Sequence, residues 1–134
     1  MSMTADEVID LLTMIAAFDQ RTVGDDDVQA WLLIATAEDW TSPLAQRAVI
    51  EHYRRGGDRP RIKPGHITDT LTDLRRTISR TLLRADLQPP RELADDPRAE
   101  ITWRRDHARQ ITDRALAAWA RGEDLPQLDP PTTG

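Results

Sequence analysis

The chain has 134 residues, room for one domain with an appendage rather than two full domains. It is 39% hydrophobic and 31% charged with a net charge of −5, and it has no cysteine and no asparagine, which excludes disulfides, thiolate metal sites and N-glycosylation sequons. Sixteen Ala and 14 Leu against four Val, one Tyr and one Phe favour helix over an extensive sheet.

The pattern predicts an all-α fold. Thr4-Ala5-Asp6-Glu7 reads as a capping box, in which Thr and Glu satisfy each other's free N–H groups. Val8, Leu11, Leu12, Ile15 and Phe18 then recur at helical spacing, so the first helix spans about 5–19. Thr22-Val23-Gly24-Asp25 breaks it. Asp25, Asp26 and Asp27 crowd the next start, where the helix dipole favours anions. A calcium loop would need acids at alternate positions and a later Glu. The second helix is expected over 25–37 with Val28, Trp31, Leu32 and Ala35 on one face. Leu33 and Ile34 flank that face, which predicts the most buried helix.

Thr41-Ser42-Pro43 is a cap followed by Pro at the first helical position. The third helix, about 43–55, turns Leu44, Ala45, Ala48, Val49 and His52 inward, with Arg54-Arg55 and Gly56-Gly57 at its end. A basic loop follows. Pro64 opens a fourth helix over 64–86 with a stripe of Ile67, Leu71, Leu74, Ile78, Leu82 and Ala85. At 1.5 Å per residue it is roughly 34 Å long, so its second half outruns its neighbours and needs another partner. Residues 87–97, with three prolines, read as a linker. A fifth helix spans about 98–121, with Ile101, Ala108, Ile111, Ala115 and Trp119 on one face and Gly122 at the stop. The expected organisation is an N-terminal helical domain 1–86, a linker 87–97, a C-terminal helix 98–122 and a disordered tail 123–134.

Charge falls in blocks. Residues 1–46 carry net −8, residues 47–84 net +6 and residues 85–134 net −3. The basic block could meet nucleic acid or the chain's own acidic N-terminal segment. Arg59, Arg61 and Lys63 form its loop. Arg76, Arg80 and Arg84 repeat every fourth residue opposite the apolar stripe of the fourth helix. Like charges at this spacing are mildly unfavourable, so the row is either a solvated face or an anion-binding ridge. No aromatic alternates with it, so stacking on single strands gets no support. Trp103 stands about 120° from the apolar face of the fifth helix, beside His107, Gln110 and Arg114. It is either an interface anchor or packs under the linker or the fourth helix.

Motifs for catalysis are missing. His52, His66 and His107 have no metal-ligand spacing. There is no phosphate-binding glycine loop and no serine elbow, and His52 reads as a satisfied core histidine. A non-enzymatic protein without cofactor, metal or small-molecule substrate is expected. Asp6, Glu7 and Asp10 do not fit a signal peptide, and no apolar run approaches the ~20 residues that span a bilayer. A soluble, intracellular protein is expected.

The runs TVGDDDVQAWLLIA (22–35), DWTSPLAQRAVIEHYRR (39–55) and RIKPGHITDTLTDLRR (61–76) carry a likeness. They resemble small helical proteins of actinobacterial phage and prophage replication loci. That arrangement is similar to the bacteriophage replicative-helicase loader/inhibitor family. The points of likeness are Trp31, then Ala48, Val49, His52 and Tyr53, then Pro64 and Ile67, within residues 5–76. The resemblance implies a replication adaptor that binds a replicative helicase and modulates its loading. Its C-terminal part, here Trp103, Arg104, His107, Ile111, Arg114 and Trp119, would contact the helicase. Arg59, Arg61, Lys63, Arg76, Arg80 and Arg84 would face DNA or an origin-bound initiator. In that family the C-terminal region is poorly ordered when free, whereas 98–121 is strongly helix-patterned. The alternatives are a DNA-binding helix-turn-helix made by the second and third helices, and a phage protein that inhibits another host protein.

Overall fold

The computed structural model describes residues 2–55, 59–123 and 125. Among them are α1 (Ala5–Asp19), α2 (Asp25–Ala37), α3 (Ser42–Arg54), α4 (Pro64–Ala85) and α5 (Pro97–Ala120), with a 3-10 turn at Arg91–Leu93 and no strand. The fold is all-α, and every helix end lies within one residue of its expected place. Local chemistry explains this. The Glu7 N–H donates to Thr4 Oγ1 at 3.2 Å while the Thr4 N–H donates to Glu7 Oε1 at 2.9 Å. Asp27 accepts from the Gly24 N–H at 2.9 Å. Asp96 caps α5 by accepting from the Ala99 N–H at 3.1 Å, one residue before Pro97.

The turn between α2 and α3 has no glycine. Asp39 takes the left-handed conformation instead, with φ 52°. The Asp39 N–H then donates to the Thr36 carbonyl and the Trp40 N–H to the Ala35 carbonyl, the two bonds of a Schellman helix stop. That geometry drives Trp40 back under the helix it follows. Trp40 is 1% exposed, meets Trp31 edge-on at 6.2 Å and donates from Nε1 to Thr68 Oγ1 at 3.3 Å. The Met3 N–H donates to the Trp40 carbonyl, so the segment before α1 closes over the same turn.

The core gathers Val8, Leu11, Leu12 and Ile15 of α1, the buried face of α3, and Ile67, Leu71, Leu74 and Ile78 of α4. Two expectations need correction. Helix α2 is not the most buried. It contributes only Trp31 and Ala35, while Leu33 is 72% exposed and Ile34 lies at the surface. Its apolar residues run around the helix, but only one side meets α1 and α4. Ile101, placed on the inner face of α5, is 64% exposed. Its angle around the helix is right, but burial on α5 is concentrated at Ala115 and Leu116, further along.

Helix α5 packs on both α3 and α4, and Ala115 and Leu116 enter the same core as the first four helices. It is thus the neighbour that the long α4 requires. Gly122 ends α5 at φ 89°, with Glu123 N–H to the Ala118 carbonyl and Gly122 N–H to the Trp119 carbonyl. The disorder expected for 123–134 falls mostly outside the described residues. Leu125, within that range, is half-buried against the core.

Candidate interaction surfaces on the basic loop, α4 and α5

The basic loop is held by a polar clamp. Arg21 pairs with Asp19, donating from Nε to Asp19 Oδ1 at 3.0 Å, and the Tyr53 hydroxyl donates to the same carboxylate. The Ile62 N–H donates to Tyr53 Oη at 3.0 Å, and the Ile62 carbonyl accepts from Arg21 Nη2 at 2.7 Å. Both backbone groups of Ile62 are thereby satisfied, and its side chain is 1% exposed. With Ile62 pinned inward, Arg59, Arg61 and Lys63 are left on the surface. Hydrogen bonds from Arg21, and then from Tyr53, hold the Asp19 carboxyl down at about 2 against the opposing effect of burial. Burial, followed by the facing Asp19, pushes the Tyr53 hydroxyl up.

Lys63 opens α4. Its N–H donates to His66 Nδ1 at 2.9 Å, which requires that nitrogen to be unprotonated. Burial, then the nearby charges of His52 and Lys63, pushes the His66 imidazole below its ordinary value. His66 stacks on His52 at 5.0 Å, and His52 Nε2 donates to the Pro60 carbonyl at 2.7 Å. The expected satisfied histidine is found, at the half-buried edge of the core rather than its centre.

Arg76, Arg80 and Arg84 all project from the exposed side of α4. Arg76 lies 3.6 Å from Asp73. Among the described residues Arg80 and Arg84 have no acidic partner within ion-pair range.

The residues singled out on α5 do not form one surface. Trp103 and His107 stack with ring centres 3.9 Å apart, and His107 Nδ1 donates to the Trp103 carbonyl at 2.9 Å. Arg114 is exposed further along. Arg104 donates to the Leu87 carbonyl at 3.3 Å and lies 3.8 Å from Glu100, so it clips the 86–96 segment to α5. Ile111 is half-buried. Trp119 is half-buried. It packs against the buried cluster, and the Arg47 guanidinium lies over its ring at 5.7 Å.

A groove that the sequence did not signal lies between the end of α4 and the first half of α5. It measures about 420 Å³ and is lined chiefly by Leu82, Leu83, Leu87 and Ala108, with Arg104 and Asp86 at its rim. Leu83 is 81% exposed, and Ile101 is the other strongly exposed apolar residue of the α4–α5 pair. The signal was split between two helices: Leu82 and Ala108 belonged to separate stripes, and Leu83 and Leu87 to neither.

Among the described residues no group of three or more acids and histidines is placed to hold a metal ion, and no helix is long and apolar enough to cross a membrane. No family model, no curated protein and no solved structure matches the chain.

Proposed function

We propose that this chain is a non-enzymatic adaptor of phage-type DNA replication, which docks on a replicative helicase and modulates its loading. The exposed groove between α4 and α5 carries the docking part of this reading. Large apolar side chains left at the surface beside arginines have the composition of a protein-binding surface. The stacked Trp103 and His107 lie on the same helix and offer a second contact. The helicase itself comes from the sequence resemblance. Arg80 and Arg84, free of acidic partners among the described residues, suit an acidic initiator surface or DNA phosphates.

Affinity capture from an actinobacterial host lysate with mass spectrometry tests the reading. Recovery of the replicative helicase, lost with Leu83→Glu plus Ile101→Glu, is the expected result. Recovery of a different host protein through the same groove would replace the helicase and keep the docking surface. Duplex DNA binding that weakens steeply with salt and disappears on charge reversal at Arg76, Arg80 and Arg84 would give the ridge a DNA role.

A further inference from the structure

A second concave site lies where α3, α4 and α5 meet, away from the groove. It measures about 280 Å³, and its walls differ in chemistry. On one side are Arg55 and Arg59, which flank residues 56–58. On the other, α4 presents Thr70, Asp73 and Thr77, and the Trp119 indole closes one end.

The charges do not cancel inside the cleft. Glu51, its second acid, is already held by Arg47 at 2.6 Å and Arg54 at 3.2 Å. Asp73, in the lining, also lies 3.6 Å from Arg76. Arg55 and Arg59 have no acidic partner among the described residues.

The opposite wall offers acceptors. The Thr70 hydroxyl donates to the His66 carbonyl at 2.9 Å and the Thr77 hydroxyl to the Asp73 carbonyl at 3.0 Å. Their protons are engaged, so these oxygens and the Asp73 carboxylate can receive hydrogen bonds from a ligand. Two guanidinium groups suit a phosphate, which they bind by forked, charge-assisted hydrogen bonds. Hydroxyl donors suit the acceptor wall, and an indole in the lining suits the apolar face of a sugar ring. The volume falls just below the usual range of ligand pockets, which begins at roughly 300 Å³. That favours a ligand the size of a single sugar phosphate over a dinucleotide.

We infer that this cleft binds a small sugar phosphate, with the phosphate on Arg55 and Arg59 and the sugar hydroxyls on Asp73, Thr70 and Thr77. His52 braces the wall. It is fixed by the Pro60 carbonyl, by the stack on His66 and by the edge of Tyr53 at 4.9 Å. The site is independent of the docking groove, so either can fail without the other.

Calorimetric titration of the full chain with ribose 5-phosphate tests it, with ribose and inorganic phosphate as the two half-ligands. Ribose 5-phosphate is expected to bind at least about tenfold more tightly than either half. Amide shifts should gather at the cleft-facing residues of α3, α4 and α5. Arg55→Ala with Arg59→Ala should lower the affinity by about tenfold or more. Both arginines are exposed, so the fold is retained. Asp73→Ala should weaken ribose 5-phosphate while leaving inorganic phosphate unchanged, and Arg84→Ala should change neither. Absence of binding at millimolar ligand would overturn the inference. So would affinity that survives loss of both arginines, or equal affinity for inorganic phosphate.

Discussion

The α1–α3 side of the molecule and the α4–α5 end are built differently. On the first side, polar groups close on each other. The Asp19, Arg21 and Tyr53 side chains satisfy the backbone of Ile62, and a helix stop without glycine folds Trp40 under α2. At the other end, α5 enters the core chiefly through Ala115 and Leu116, while Leu83 and Ile101 remain exposed. Stability therefore concentrates where the chain crosses itself between α1, α3 and the loop before α4. Both sides leave large apolar groups at the surface, Phe18 and Leu33 on the first and Leu83 and Ile101 on the second, but at the α4–α5 end they accompany an apolar groove.

Substitutions should separate the two regions. Trp40→Ala removes the largest fully buried side chain and should cost about 3–5 kcal/mol in chemical denaturation. A loss under about 1 kcal/mol would show that the turn, not the side chain, holds this region. Acid should strike the same side. Asp19 is held at about 2 in the folded chain against an ordinary 3.8. Its contribution, about 2 kcal/mol, is complete above the unfolded value and is lost as pH falls through that value toward about 2. Denaturation of Asp19→Asn across that range should lack this decline.

Tyr53→Phe should cost about 1–3 kcal/mol, because the Ile62 N–H and Asp19 each lose a partner in a half-buried setting. Gly122→Ala should cost about 1 kcal/mol, since its φ is positive. An added Cβ would also stand 2.9 Å from Arg47 Nη1. Its thermal midpoint would fall by a few degrees. Smallest of all, Leu83→Ser should alter stability by no more than about 0.5 kcal/mol, although it removes a main element of the groove. A larger loss would mean that Leu83 is structural and the contrast between the two ends is overstated.

Local signals carried the helices. The capping box at Thr4, the acids Asp25, Asp26 and Asp27 at the start of α2, the prolines Pro43 and Pro64, and the α4 stripe each act within a few residues, so their meaning survives without tertiary knowledge. What lay beyond reach depended on distance. Ile62, between Arg61 and Lys63, looks like a solvated loop residue until Tyr53 and Arg21 are brought to it. Trp40 looks like part of a polar turn because its burial follows from the left-handed Asp39, a state usually marked by glycine. Leu33 and Ile34 raised the expected burial of α2 because composition counts apolar residues without knowing which side has a neighbour. The cleft of Arg55, Arg59, Asp73 and Trp119 draws on three elements and left no local trace. The two surfaces assigned by residue fared unequally. The arginine ridge stands on one exposed face, whereas the α5 set is divided between exposed Arg104 and Arg114 and half-buried Trp103, His107, Ile111 and Trp119.

The four tryptophans fall two and two. Trp31 and Trp40 form a buried edge-on pair on the α1–α3 side, while Trp103 and Trp119 are half-buried on α5. Trp103 also lies against the His107 ring. The molecule thus carries two native optical reporters. The blue-shifted light of the first pair follows the interior, and the red-shifted light of the second follows α5. Emission read at the two ends of the spectrum can show whether α5 leaves before the rest of the chain melts.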